Sequence, residues 1–130
     1  MGSLPLIAVR QRSLFDCGEA CLKGLFGYYG KYLINVNPKR WRRYTLYDLF
    51  ILSNQQGMVA KVYRVDHLES IWLPCLVPLR LMGIGHYVLV LSISARALEI
   101  MDPSMGKIFW ISKRRFYALW VGMFLGLQTD

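Results

Sequence analysis

Hydrophobic periodicity changes once along this chain, at Gly57, and that change restricts the fold more than any other feature of the sequence. Before Gly57, apolar residues recur every three or four positions, the spacing of a helix face. After it they alternate, or run together in short β-rich blocks bounded by turn residues. Helices first and antiparallel strands second predict an α+β domain. At 130 residues, one domain over 1–130 can bury a sufficient core without a metal or disulfide staple. Met1-Gly2-Ser3 has the composition of a cloning remnant.

In the helical half, Asp16 with Glu19 three residues on has the spacing of a capping box, which predicts Asp16 as N-cap and Cys17 as the first helical residue. Ala20, Cys21, Gly24, Leu25 and Tyr28 follow at helical spacing, and Gly30 ends the segment. A second box, Thr45 with Asp48, opens a helix that turns Leu46, Leu49, Phe50 and Leu52 inward and stops at Gly57. In the strand half, 59–65 reads as a strand and Asp66–Ile71 as a helical turn. Cys75–Leu79 reads as a strand whose Pro78, lacking an N–H, argues for a sheet edge or a strand end. His86–Leu91 is apolar enough for a central strand, with Ala97–Met101 as its neighbour. Residues 102–106 form a turn, 107–111 the returning arm of a hairpin, Ser112–Tyr117 a helical turn and 121–127 a closing strand.

Composition removes several classes. A hydrophobic content of 55% excludes intrinsic disorder, and three cysteines are too few, and odd in number, for a secreted disulfide scaffold. The charge-free stretches 81–95 and 116–129 are shorter than the ~20 residues of a spanning helix. Leu4–Val9 is too short for a signal peptide. The expectation is a soluble domain of a reducing compartment. With 16 Lys+Arg against 8 Asp+Glu, a net charge of +8, it is both apolar and basic enough to want a partner.

The chemistry-bearing residues are few. Cys17 sits at a predicted helix N-terminus, where the helix dipole and free N–H groups favour a thiolate. By position alone an inert buried cysteine remains the commoner outcome. Of the two histidines, His67 lies in a polar stretch and reads as an exposed bystander. His86 opens the apolar strand behind Gly83-Ile84-Gly85 and suits a general base, though a core histidine bonded to a carbonyl is the ordinary alternative. Asp102 closes the neighbouring strand and can orient His86; the alternative is a turn aspartate bonding its own backbone. Gln11, six residues before Cys17, can join the Cys17 N–H as an oxyanion donor, or be a solvated surface glutamine. Cys17 and Cys21 share a helix face but lack two further ligands for zinc, so no metal or cofactor is expected, and Cys21 and Cys75 read as core residues. The basic runs Lys39–Tyr44 and Lys113–Arg115 read as solvated turns, so no nucleic-acid partner is expected. Gly83-x-Gly85 falls short of a dinucleotide fingerprint.

The segment Gln11-Arg12-Ser13-Leu14-Phe15-Asp16-Cys17-Gly18-Glu19-Ala20-Cys21-Leu22 closely resembles the opening of the bacteriocin-processing cysteine peptidases, the double-glycine leader peptidases at the N-terminus of peptidase-containing ABC transporters. Tyr28-Tyr29-Gly30, Thr45-Leu46-x-Asp48-Leu49, Gln56-Gly57, Leu73-Pro74-Cys75, Gly85-His86-Tyr87-Val88, Asp102-Pro103-x-x-Gly106 and Trp120-x-Gly122 resemble later parts of the same family. The resemblance implies a papain-like fold, with an N-terminal helical lobe and a C-terminal antiparallel sheet lobe. It implies Cys17 as nucleophile, His86 as base, Asp102 as its orienter and Gln11 as oxyanion donor. The implied substrate is a leader peptide, an amphipathic helix cut after Gly-Gly, held in a cleft too narrow for a Cβ and an apolar groove. Leu14, Leu25, Tyr28, Met58 and Met82 are candidates for lining that groove. The implied partner is the membrane and ATPase part of an ABC transporter, in cis or in trans, and the implied place is the cytoplasmic face of a bacterial membrane. Degenerate members of the group lose the cysteine, which this chain keeps. Departures are a glutamate at 19 and a basic stretch over 35–43. The alternatives are a non-catalytic leader-binding domain, and a basic nucleic-acid or membrane-surface module using Arg40, Arg42 and Arg43.

Overall fold

A computed structural model describes residues 4–13, 15–34 and 43–128. Two helices, α1 (Cys17–Tyr28) and α2 (Leu46–Gln55), precede β1 (Val59–Arg64) and a single 3-10 turn at Leu68–Ser70. Then come β2 (Cys75–Leu81), β3 (Ile84–Ile93), β4 (Ala97–Asp102), β5 (Lys107–Ser112), α3 (Lys113–Leu119) and β6 (Met123–Gln128). The strands form one sheet in the order β1-β6-β2-β3-β4-β5 with every pairing antiparallel, an α+β fold of the papain-like kind. The final strand enters between the first two, closing against Val59–Arg64 along its whole length. No helix among the described residues is long and apolar enough to cross a membrane.

Each face of the sheet carries its own core. On one face, α1 and α2 bury Cys21, Leu22, Leu25, Phe26 and Leu49 against Leu76, Leu89, Met101 and Leu125. On the other, Phe116 of α3 and Leu68 of the 3-10 turn cover Val77, Val88, Val90, Ile100 and Phe124. Fully burying each of these side chains contributes about 1.5–3 kcal/mol before conformational entropy is subtracted. Gly24 lets α1 lie close to the sheet, since a Cβ there would stand 3.3 Å from Leu89 Cδ1 and 3.4 Å from Met101 Cε. Met82 and Gly83, with φ of 51° and 80°, join β2 to β3 in a two-residue connection. Both central residues are left-handed, as a type I′ hairpin turn requires.

The second capping box forms as expected. Thr45 Oγ1 accepts from the Asp48 N–H at 3.1 Å, and the Asp48 carboxylate accepts from the Thr45 N–H at 2.8 Å. The first does not. Asp16 occupies the N-cap position, but its side chain makes no cap bond to the helix and turns back into the preceding segment. The buried face of α1 is also wider than a one-sided periodicity, taking in Leu22 and Phe26, because the sheet, α2 and the N-terminal segment all pack around it. Pro78 is in an interior strand, contrary to the edge or end expected from its missing donor. Its carbonyl accepts from the Val121 N–H at 3.3 Å. Its nitrogen faces that same side, where the ladder beyond Leu76↔Leu125 is reduced to the single bridge Leu79↔Trp120, so the missing donor falls where pairing is sparsest and the β3 ladder is untouched.

Candidate active site

The site forms where the foot of α1 meets the starts of β3 and the turn after β4. Cys17 is the first residue of α1 and only 1% exposed. Its neighbour Gly18 lies against α2 and β3, with space for a Cβ limited by Leu49 Cδ1 at 3.0 Å and Tyr87 Cδ2 at 3.3 Å. The β3–β4 pairing, with Leu89 opposite Met101 and Val90 opposite Ile100, brings His86 within reach of Asp102. His86 Nε2 stands 2.8 Å from Asp102 Oδ1. The other ring nitrogen is thereby left for Cys17, whose side chain is near enough to act on His86 electrostatically. Cys17, His86 and Asp102 therefore form one series across the helix–sheet junction, with the His86–Asp102 hydrogen bond at its sheet end.

The electrostatics follow from that series. Burial alone would raise the Cys17 thiol. Hydrogen bonds from the His86 side chain and the Tyr87 backbone, with the charges of His86 and Arg43, outweigh burial and hold it below the ordinary cysteine value. Burial would likewise lower His86, but hydrogen bonds to Asp102 and Cys17 and their negative charges push it up to about 9. Asp102 is raised by burial and, more strongly, held down by hydrogen bonds from His86 and from the Ser104 side chain and backbone. Both shifts run toward the charged forms, a thiolate at Cys17 and an imidazolium at His86.

Two residues that sequence reasoning passed over complete the frame. Ser104 donates to Asp102 Oδ1 from its N–H at 2.9 Å and its hydroxyl at 2.7 Å, so that oxygen gathers three donors and cannot rotate freely. The signal was present in Asp-x-Ser, an Asx-turn pattern. Tyr87 donates its hydroxyl to the Tyr44 carbonyl at 3.0 Å, bringing the lead-in to α2 over β3, and burial foremost pushes its own phenol up to about 12. Nothing in the sequence around Tyr87 announced that pairing.

Gln11 lies on the extended segment before α1, tied by its N–H to the Pro103 carbonyl at 2.8 Å. Its Nε2 donates to the Ser13 carbonyl at 2.8 Å, which occupies one of the two amide hydrogens. A cleft of about 390 Å³ opens between this segment and α1, with Val9, Arg10, Arg12, Glu19, Lys23 and Leu33 among its walls. Of the candidate groove residues, Leu25 and Met58 are core residues and line no surface groove, because α1 and α2 close over them. Met82 is 93% exposed at the tip of the β2–β3 turn and Tyr28 is half-buried; Leu14 lies outside the described residues. Cys21 and Cys75 are fully buried, and burial drives both thiols upward, as core cysteines should be. His67 is exposed. Gly85 has nothing within 4 Å of a Cβ position, so close packing does not explain that glycine. Of the basic runs, Arg114 and Arg115 are exposed on α3, whereas residues 39–42 lie outside the described residues. Among the described residues no group of three or more histidine, cysteine, aspartate or glutamate side chains is placed to hold a metal.

The model of the Peptidase C39 family matches residues 6–130 of this chain. The sublancin-168-processing and transport ATP-binding protein SunT of Bacillus subtilis is 24% identical over 135 residues, covering 95% of this chain and 19% of that protein. The chain thus spans about a fifth of the length of that relative. Among solved structures, the peptidase domain of Streptococcus ComA, described as a bi-functional ABC transporter involved in a quorum sensing pathway, superposes with a TM-score of 0.81 at 23% identity. That match covers 97% of this chain and 100% of the other. A double glycine motif protease from an AMS/PCAT transporter, solved in complex with its leader peptide, gives a TM-score of 0.82 at 20% identity, covering 99% of this chain and 95% of the other. At such identities the superpositions speak for the fold.

Proposed function

The chain belongs to the Peptidase C39 family, and we propose that it is a cysteine endopeptidase, residues 1–130 acting as one domain, that cuts the leader peptides of small secreted precursors after a Gly-Gly pair. The observation that carries this reading is His86, hydrogen-bonded to Asp102 and set beside the Cys17 thiol at the N-terminus of α1. A domain that only bound leaders would have no use for a buried thiol held below its ordinary value.

Chemistry follows from the protonation states. The Cys17 thiolate attacks the carbonyl carbon of the second glycine, forming the C–S bond and moving the carbonyl π pair onto oxygen. The Cys17 N–H and the free amide hydrogen of Gln11 are the donors assigned to that oxyanion. As the oxyanion collapses, the C–N bond breaks and the His86 imidazolium gives its proton to the departing amine. The acyl-enzyme that remains is attacked by water, whose proton passes to the now neutral His86; expulsion of the Cys17 thiolate restores the starting pair. Asp102 holds the ring so that one nitrogen faces the sulfur throughout, and Ser104 holds Asp102.

The relatives support the rest of the reading. SunT is named for both processing and transport, and the AMS/PCAT protease was solved with a leader peptide. The partners proposed here are accordingly an amphipathic leader helix ending in Gly-Gly and the membrane and ATPase domains of an ABC transporter, in cis or in trans. The place of action is the cytoplasmic face of a bacterial membrane. A net charge of +8 suits an acidic leader or an anionic membrane surface. Cys17→Ala should abolish cleavage of a synthetic Gly-Gly leader while leaving its affinity for that leader in place. Cleavage that survives in this variant would refute the reading.

A further inference from the structure

We propose that Asp16, the residue before the nucleophile, is a positioning residue that aims the Gln11 amide by gripping the backbone between them; this rests on the peptidase reading above. Asp16 stands at a helix N-cap, where a carboxylate ordinarily accepts from the first-turn N–H groups and contributes about 1 kcal/mol. Here it makes no such bond. Its oxygens turn the other way: Oδ1 and Oδ2 accept from the Arg12 N–H at 3.1 and 3.0 Å, and Oδ1 accepts from the Ser13 N–H at 2.9 Å and the Ser13 hydroxyl at 3.3 Å. None of these bonds goes to Cys17, His86 or Asp102.

The Ser13 residue is thereby held at both of its backbone groups, its N–H by Asp16 and its carbonyl by Gln11 Nε2. Gln11 is fixed in turn through its own N–H to Pro103, one residue past Asp102. Beside it, Arg10 lies on the turn after β4, so closely that a Cβ at Gly106 would come within 2.8 Å of Arg10 Cβ. Residues 10–13 are a brace between the foot of α1 and the end of β4, and Asp16 is its fastening at the helix. Without the carboxylate, Arg12 and Ser13 lose their acceptors, the Ser13 carbonyl is free to turn, and the Gln11 amide loses the bond that aims it. The ion pair of Cys17 and His86 is left alone.

Kinetics with a Gly-Gly leader peptide, on Asp16→Ala, Asp16→Asn, Gln11→Ala and the double variant Asp16→Ala/Gln11→Ala, test this. Loss of one oxyanion donor costs on the order of a hundred-fold in kcat. Asp16→Ala should approach the kcat of Gln11→Ala with KM nearly unchanged, and adding it to Gln11→Ala should change kcat by no more than about two-fold. Asp16→Asn should recover most of the activity, because Oδ1 alone accepts from both Arg12 and Ser13. The pH dependence of Cys17 alkylation should be the same in all four. Losses that multiply in the double variant, an Asp16→Asn as impaired as Asp16→Ala, or a shifted alkylation profile would each overturn the proposal. Amide exchange at Arg12 and Ser13 and the side-chain amide resonances of Gln11 provide a readout without substrate: Asp16→Ala should speed the first and shift the second, and unchanged spectra would overturn the proposal. These spectra decide the brace even for a chain that cleaves nothing, so its failure and failure of the peptidase reading are separate results.

Discussion

Asp102→Asn separates the charge of the carboxylate from its geometry. Asn can occupy the same place, since the Ser104 N–H and hydroxyl and His86 Nε2 all point at Oδ1 and would hold an amide oxygen there rather than an NH2. What is lost is the negative charge, the main partner that, against burial, lifts His86 to about 9 from the 6.5 of an ordinary histidine. The sign is fixed by the active state: imidazolium is lost as pH rises through the folded value, so the variant's alkaline limb must move down. If His86 fell all the way to about 6.5, the imidazolium fraction at pH 8 would drop from about nine-tenths to about three-hundredths, roughly a thirty-fold loss. At pH 6 the same change leaves about three-quarters protonated, a loss of about 1.3-fold. Cys17 also raises His86, so thirty-fold is a ceiling. The assay is kcat/KM for a Gly-Gly leader between about pH 5.5 and 9.5, with His86 ring resonances followed across the same range. An equal deficit at pH 6 and pH 8, with the His86 titration displaced, would refute the claim that the carboxylate acts by sustaining the ion pair.

Iodoacetamide at neutral pH should alkylate Cys17 and spare Cys21 and Cys75, which are fully buried with raised thiols; peptide mapping that finds Cys21 modified in the folded chain would contradict the assignment. Gly18→Ala places a methyl 3.0 Å from Leu49 Cδ1, a side chain with no exposure, and 3.3 Å from the ring of Tyr87. Helix propensity alone would favour alanine by about 1 kcal/mol, yet the variant should show no gain in Tm and a fall of about ten-fold or more in kcat/KM. Thr45→Ala removes the cap that accepts from Asp48 N–H and should cost about 1 kcal/mol by denaturant unfolding, with cleavage unchanged under folding conditions.

Much of this site was legible because its parts are local. The Thr45–Asp48 box, the β-rich run after Gly57 and the hairpin about Asp102-Pro103 are encoded within a few residues each, and the structure follows them. Two strands read as neighbours were enough to suggest that residues sixteen apart, His86 and Asp102, meet. What stayed hidden depends on long-range pairing. That β6 enters between β1 and β2, so that Pro78 is interior, requires knowing where a strand some fifty residues away will dock. Asp16 has the spacing of a capping residue; whether its carboxylate turns forward into the helix or back to Arg12 and Ser13 is decided by how residues 10–13 lie on the turn after β4.

Cys17 and Cys21 show what decides reactivity here. They stand one turn apart on the same helix, both shielded from solvent, in a segment where composition scarcely distinguishes them. A helix N-terminus favours the first, by about 0.3–1 kcal/mol when exposed. That is under one pKa unit, since a unit is worth 1.36 kcal/mol, and burial works against it. Yet the two thiols move in opposite directions, Cys21 well upward and Cys17 downward. The difference is supplied from across the junction, by the His86 side chain and the Tyr87 backbone of β3. The lowered thiol of Cys17 is therefore a product of docking α1 on β3. The contacts that set that docking, Gly24 against Leu89 and Met101 and Gly18 against Leu49 and Tyr87, act on the thiol through the position of the helix.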